Sequence, residues 1–240
     1  MKGIRKYIFF ASLTLLFVLL FFITVKRNNE ALKASVSPFD NYTIIVDAGH
    51  GGIDGGATAV DGTLEKDINL SIAHKVNDLL TLFGINTVMT RECDMSIHSS
   101  DAETVRQKKV SDIKNRLKII NDAKNPVFVS IHQNHFTQSK YTGTQVFYSP
   151  NNERSRALAQ IIQEDIVSSL QPDNTRQIKK SGTQIYLLYH APCPAVMIEC
   201  GFLSNESETE LLKSDEYQTK IAAITANSIL KFISDSSEVL

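Results

Sequence analysis

The chain has 240 residues, 42% of them hydrophobic, enough for one well-buried globular domain once an N-terminal segment is set aside. Its formal net charge is −1 and no basic stripe with interleaved aromatics runs along it, which removes nucleic acid as a partner. Cys93, Cys193 and Cys200 are irregularly spaced, so they form neither a disulfide framework nor a zinc knuckle; Cys193 and Cys200 are either small buried hydrophobes or, outside the cytoplasm, a bridge.

In chain order, Lys2, Arg5 and Lys6 precede an uncharged apolar run over 8–25 that ends at Lys26 and Arg27. The run is long enough to span a hydrocarbon core as a helix, and no A-x-A cleavage site follows it. Residues 1–27 are therefore expected to be a signal anchor, with a removed signal peptide as the alternative. Residues 28–41 are polar and patternless, which suits a tether. A globular domain over 42–234 is then expected on the extracytoplasmic side of a membrane, followed by a frayed tail over 235–240.

Within that domain, short β-rich runs alternate with helical periodicities. Residues 43–47 read as a buried strand, followed by a loop rich in glycine. A helix is expected over 65–83, with Ile68, Ile72, Val76, Leu79 and Phe83 on one face and Gly84 as its stop. A strand over 85–90 comes next, then an irregular loop over 91–107. Ser111 is placed to cap a helix carrying Ile113, Leu117 and Ile120, which ends before Pro126. Strands follow over 127–131 and 144–148, a helix over 153–170, a loop over 171–184, a strand over 195–199 and a last helix over 214–233. This alternation predicts an α/β fold: one layered domain with a central, largely parallel sheet flanked by helices on both faces. There is no internal repeat and no second domain for holding a polymer.

Ligand sites in such folds gather beyond the carboxyl ends of strands. Three polar clusters stand at those positions: Asp47 to Gly52 with His50, Ser130 to Asn134 with His132, and Glu199 to Phe202. Glu65 opens the helix after the glycine loop, on its inward face. Two histidines and a carboxylate from separate elements make a common catalytic zinc set, which leaves a fourth position open to water. A further carboxylate outside the ligand set moves protons. His50, Glu65 and His132 fit the ligand roles, and Glu199 the acid/base role. Each also has a bland reading. His50 would hydrogen-bond its own loop, Glu65 would complement the helix dipole, and His132 would be a satisfied core group. Glu199 resists such a reading, because an unpartnered carboxylate at the end of an apolar strand is costly. His135 makes an H-x-x-H with His132, but in a strand those two side chains point to opposite faces.

These residues carry a family resemblance. The run Val46-Asp47-Ala48-Gly49-His50-Gly51-Gly52-Ile53-Asp54-Gly55-Gly56-Ala57 resembles the opening motif of the zinc-dependent N-acetylmuramoyl-L-alanine amidases of the amidase-3 family. The resemblance continues through Glu65-Lys66-Asp67, Met89-Thr90-Arg91, Arg116 with Asn121, and Ser130 to Asn134. It closes with Glu199 to Asn205 and covers most of 43–233. It implies cleavage of the amide between N-acetylmuramic acid and L-alanine in peptidoglycan, with Zn2+ on His50, Glu65 and His132 and with Glu199 catalytic. It departs at Cys200, which stands where relatives carry Thr or another small residue and would alter hydrogen bonding beside Glu199. The plan of one anchor and one bare catalytic domain is similar to CwlD-type cortex amidases of spore-forming bacteria. That narrower likeness implies removal of stem peptides before muramic-δ-lactam formation, in the forespore or spore envelope. With no wall-binding repeats, targeting or activation falls to the membrane anchor, to substrate density or to an accessory protein. A zinc peptidase acting on stem peptides and a non-catalytic peptidoglycan-binding scaffold are the alternatives.

Overall fold

The computed structural model describes residues 41–235. The signal anchor expected over 1–27, the tether (Asn41 apart) and the tail beyond Asp235 lie outside the described residues. Among the described residues, no helix is long and apolar enough to cross a membrane.

The elements follow as β1 (Thr43–Ala48), α1 (Glu65–Leu82), β2 (Asn86–Met89), α2 (Val105–Asp122), β3 (Pro126–Asn134) and β4 (Gln145–Tyr148). Next come α3 (Arg154–Ser169), β5 (Lys179–Lys180), α4 (Tyr186–His190), β6 (Ala195–Phe202), α5 (Glu206–Lys213) and α6 (Asp215–Asp235). The strands form one sheet in the order β2-β1-β3-β6-β4-β5. Every neighbouring pair is parallel except β4–β6, which is antiparallel. The largely parallel sheet is thus as expected, with the edge pair β4 and β5 running against the other four strands.

Both faces of this sheet are covered, which is why its central strands are almost continuously apolar. Along β1, Ile44, Val46 and Ala48 enter one core with α1, α3, α5 and α6. Ile45 enters the other, with Phe128, Met197, Ile120 of α2 and Leu187 and Leu188 of α4. The period-2 alternation therefore sends Asp47, His132 and Glu199 to the α2/α4 face, at the ends of β1, β3 and β6. Cys200, one residue on, is buried in the opposite core, and its Sγ lies 3.7 Å from Ile198 O. It does not reach Glu199, contrary to the expected effect of this departure. All three cysteines are free, so Cys193 and Cys200 form no bridge.

The element bounds differ most around α2, which starts six residues before the expected cap at Ser111. Thr104 caps it, accepting from Gln107 N, while the Gln107 side chain accepts from the Thr104 backbone. The first turns of α2 cover no core and so lack an apolar stripe. Ser111 instead accepts from Ser99 N, tying down the preceding loop. Inside the expected loop over 171–184 lies the two-residue β5, and the short α4 follows it. The last helix, expected over 214–233, is α6 at Asp215–Asp235, and ahead of it the unassigned stretch after β6 forms the additional helix α5, capped by Asn205.

Candidate active site

β1 ends in a loop that reverses tightly, with His50 itself at φ 62°. Two arginines hold its carbonyls. Ala48 O accepts from Arg91 Nε (2.9 Å) and Arg116 Nη1 (2.8 Å), Gly49 O from Arg91 Nη2 (3.1 Å), and His50 O from Arg116 Nη2 (2.6 Å). Arg116 is anchored by the buried Asp47 at 2.6 Å, which also accepts from Thr90 and Ser130 hydroxyls. Burial would raise the Asp47 carboxyl, but Arg116 and the two hydroxyls together hold it below the usual carboxylate range.

Glu65 is buried at the first residue of α1 and stands between the two imidazoles. Its Oε1 is 2.9 Å from His132 Nδ1 and accepts from Gln133 N at 3.0 Å; its Oε2 is 3.2 Å from His50 Nε2 and accepts from Ala57 N at 2.8 Å. Against burial, these partners keep Glu65 ionised well below the ordinary range. The other nitrogen of His50 lies 3.0 Å from Asp54, which is itself paired with Lys109 at 2.8 Å. Burial alone would lower His50; the hydrogen bonds to Asp54 and Glu65 outweigh it and push the imidazole up to about 9.

The rings of His50 and His132 meet edge to face, centroids 4.9 Å apart. One ligand-type atom from each of His50, Glu65 and His132 lies within 4.8 Å of the others. Two glycines permit this closeness. A Cβ on Gly49 would sit 2.2 Å from His132 Nε2, and one on Gly56, at φ +69°, would sit 2.5 Å from Glu65 Oε2.

Glu199 sits across the β3–β6 ladder from His132 and across the β4–β6 ladder from Gln145. Its Oε2 is buried with no hydrogen-bond partner among the described residues. Burial, reinforced by Glu65 and opposed by the histidines, pushes the carboxyl up to about 7. Beside the cluster opens a cavity of about 330 Å³ lined by His50, His132, Lys109, Tyr186, Leu187 and Met197.

The structure thus brings together His50, Glu65 and His132, with Glu199 on the neighbouring strand. It keeps His135 apart, exposed beyond the end of β3. His74 and His98 bond to Glu92 O and Ser96 Oγ, and His190 stacks on Tyr186 at 4.2 Å. Sequence reasoning assigned no role to Asp54, Lys109, Arg91 or Arg116. One signal was present: Arg116 falls on the same helix face as Ile113, Leu117 and Ile120, where a charge needs a buried partner.

Residues 44–231 match the amidase-3 family, described as N-acetylmuramoyl-L-alanine amidase. Over 236 residues the chain is 34% identical to the germination-specific N-acetylmuramoyl-L-alanine amidase of Bacillus subtilis (strain 168), covering 98% of each. The CwlD amidase of Clostridioides difficile, solved in complex with the GerS lipoprotein, is 46% identical with a TM-score of 0.76, covering 80% of this chain and 98% of that one. An N-acetylmuramoyl-L-alanine amidase from Clostridium difficile 630 is 30% identical with a TM-score of 0.70, covering 81% of this chain and 98% of its own. A carboxylate–imidazole cluster at the strand ends, a match across nearly all the described residues and relatives of this identity lead to one assignment: the chain belongs to the amidase-3 family and is an N-acetylmuramoyl-L-alanine amidase of the CwlD type.

Proposed function

We propose that this amidase binds Zn2+ through His50, Glu65 and His132 and uses Glu199 to move protons, acting on spore-cortex peptidoglycan. The observation that carries the reading is the convergence of two imidazoles and one buried carboxylate beside an unpartnered Glu199 oxygen. Two nitrogens and one oxygen suit zinc, and the cavity leaves the substrate side of the cluster open. When bound, the ion supplies an acidified water and polarises a carbonyl oxygen.

The chain's own groups supply the rest. Asp54 and Gln133 N support the ligands from behind: one bonds the far nitrogen of His50, the other bonds Glu65. Arg91 and Arg116 hold the backbone that carries His50. Glu199, with a carboxyl raised to about 7, is suited both to take a proton from the attacking water and to return it to the departing L-alanine nitrogen. Glu199→Gln is expected to keep zinc, measured by elemental analysis, while turnover on purified peptidoglycan falls at least about a hundredfold. His132→Ala is expected to lose the metal. A Glu199→Gln enzyme of near-normal activity would refute the assignment. Mass spectrometry of the products separates free muramic acid, the amidase outcome, from the shortened peptides that a peptidase would leave.

The cortex role, with stem-peptide removal ahead of muramic-δ-lactam formation, rests on the likeness to the germination-specific enzyme. Extracytoplasmic action through a membrane anchor at 1–27, with 42–234 as the catalytic domain, belongs to the same reading. An accessory protein is favoured by the relative solved in complex with a lipoprotein. Activity of the full chain alone, set against activity after adding the cognate lipoprotein, tests that dependence.

A further inference from the structure

On the other side of Glu199 from the cavity, a second groove of about 210 Å³ opens over β4, β5 and the end of β6. Gln145, the partner of Glu199 in the β4–β6 ladder, begins it, and Phe147, Tyr141, Phe202, Arg176 and Lys179 continue it. The cations lie on aromatic faces. The Arg176 guanidinium is 4.5 Å from the Phe202 ring centroid and 5.7 Å from that of Tyr141. Lys179 Nζ is 5.7 Å from the Phe147 centroid, and Lys140 Nζ is 5.5 Å from that of Tyr141.

None of these cations forms an ion pair among the described residues, although, against the burial that raises the nearby Glu208 carboxyl, Arg176 lowers it electrostatically. Arg176 donates through Nε to Thr142 O at 2.7 Å, which fixes its plane, but neither of its Nη groups has a partner among the described residues. No Asp or Glu lines the groove. The cavity on the metal-ligand side is the reverse: its Lys109 is neutralised by Asp54. The groove wall is also braced. Buried Glu208 accepts from Gly143 N and Phe202 N, both at 2.7 Å, so the two segments bearing Tyr141 and Phe202 are tied to one carboxylate.

We propose that this groove is the subsite for the acidic stem peptide, whose carboxylates meet Arg176 and Lys179. The inference rests on the amidase reading in one respect: Glu199 protonates the leaving L-alanine nitrogen, so the peptide must leave from the Glu199 side. Distance agrees. Two strand spacings separate β6 from β5, about 10 Å. An extended peptide covers that in about three residues. The second and third stem residues, which carry the free carboxylates, therefore arrive at the cations. Stacking on the aromatic rings keeps Arg176 extended, so little rotamer freedom is lost on binding.

The test uses the full chain supplied with zinc and two soluble probes. One is the tripeptide L-Ala-γ-D-Glu-meso-diaminopimelate; the other is the same peptide with its carboxylates amidated. Calorimetry is expected to show the acidic tripeptide bound about tenfold more weakly by Lys179→Glu and by Arg176→Gln, with the distant surface change Lys114→Glu indistinguishable from wild type. The amidated peptide is expected not to discriminate among the four proteins. Lys179 is exposed, so Lys179→Glu carries the result if Arg176→Gln loosens the loop at Thr142. Equal binding of both peptides by wild type and Lys179→Glu overturns the proposal. Release of intact stem peptides from peptidoglycan by the wild type is scored separately, so a failed amidase reading is told apart from a failed subsite.

Discussion

Arg91 is a buried guanidinium whose acceptors are all backbone carbonyls: Ala48, Gly49, Lys66 and Cys93. It joins the loop that carries His50 to the first turn of α1, where Glu65 stands, and so sets the spacing of two expected zinc ligands. A lysine cannot reproduce a planar fork with five donors. Arg91→Lys is therefore expected to weaken zinc binding about tenfold or more, read by competition with a chelating dye, while circular dichroism stays native. Asp47 gives a pH signature. Its folded-state pKa is depressed, so its stabilising contribution is present above the unfolded value of about 3.9 and is lost as pH falls through the folded value. Asp47→Asn leaves buried Arg116 with Asp112, at 2.7 Å from its Nε, as the remaining carboxylate, with an expected loss of about 1.5–3 kcal/mol at pH 7 in urea unfolding. The gap from wild type should narrow toward pH 3. His50, Glu65, His132 and Glu199 were legible as a group because each interrupts an apolar or glycine-rich run at an element end. Arg91 was not legible in the same way, since carbonyl acceptors leave no complementary residue type in the sequence.

Elements were legible where burial imposes a period. α1, α3 and the long part of α6 each bury a stripe, and the central strands are apolar because both their faces are covered. The start of α2 is set by a capping box rather than by burial, so apolar spacing could not locate it. Thr104→Ala should lower stability by about 1 kcal/mol in thermal or urea unfolding, and hydrogen exchange should quicken in the first turn of α2. α4 has five residues and β5 two, too few for any period to register. The start of α6 was legible to within a residue, but α5 ahead of it was not, for a related reason. It spans eight residues and buries Glu208, Thr209 and Leu212, of which Leu212 alone is apolar, so no apolar period marks it.

For the whole molecule, ligands from three separate elements make metal binding and folding interdependent. Zinc at a hundredfold excess over its Kd should stabilise the fold by about 2.7 kcal/mol, which for a domain of this size is several degrees in Tm. Chelation should remove that increment, zinc should restore it, and magnesium should not, as differential scanning fluorimetry would register. The surface around Glu199 also differs in charge from side to side, with the mutually neutralised Asp54–Lys109 pair on one side and Lys140, Arg176 and Lys179 on the other. The reversal of β4 has a consequence for how such an enzyme diversifies. Because β4 runs against β6, the chain leaving β3 re-enters the sheet at the same edge as the reacting groups. The exposed stretch over 137–140 is therefore a rim whose length is free to change without altering any strand pairing. Insertions there would deepen or roof the groove while the scaffold stayed intact, so closely related chains can diverge in which wall polymers they accept at little cost in stability.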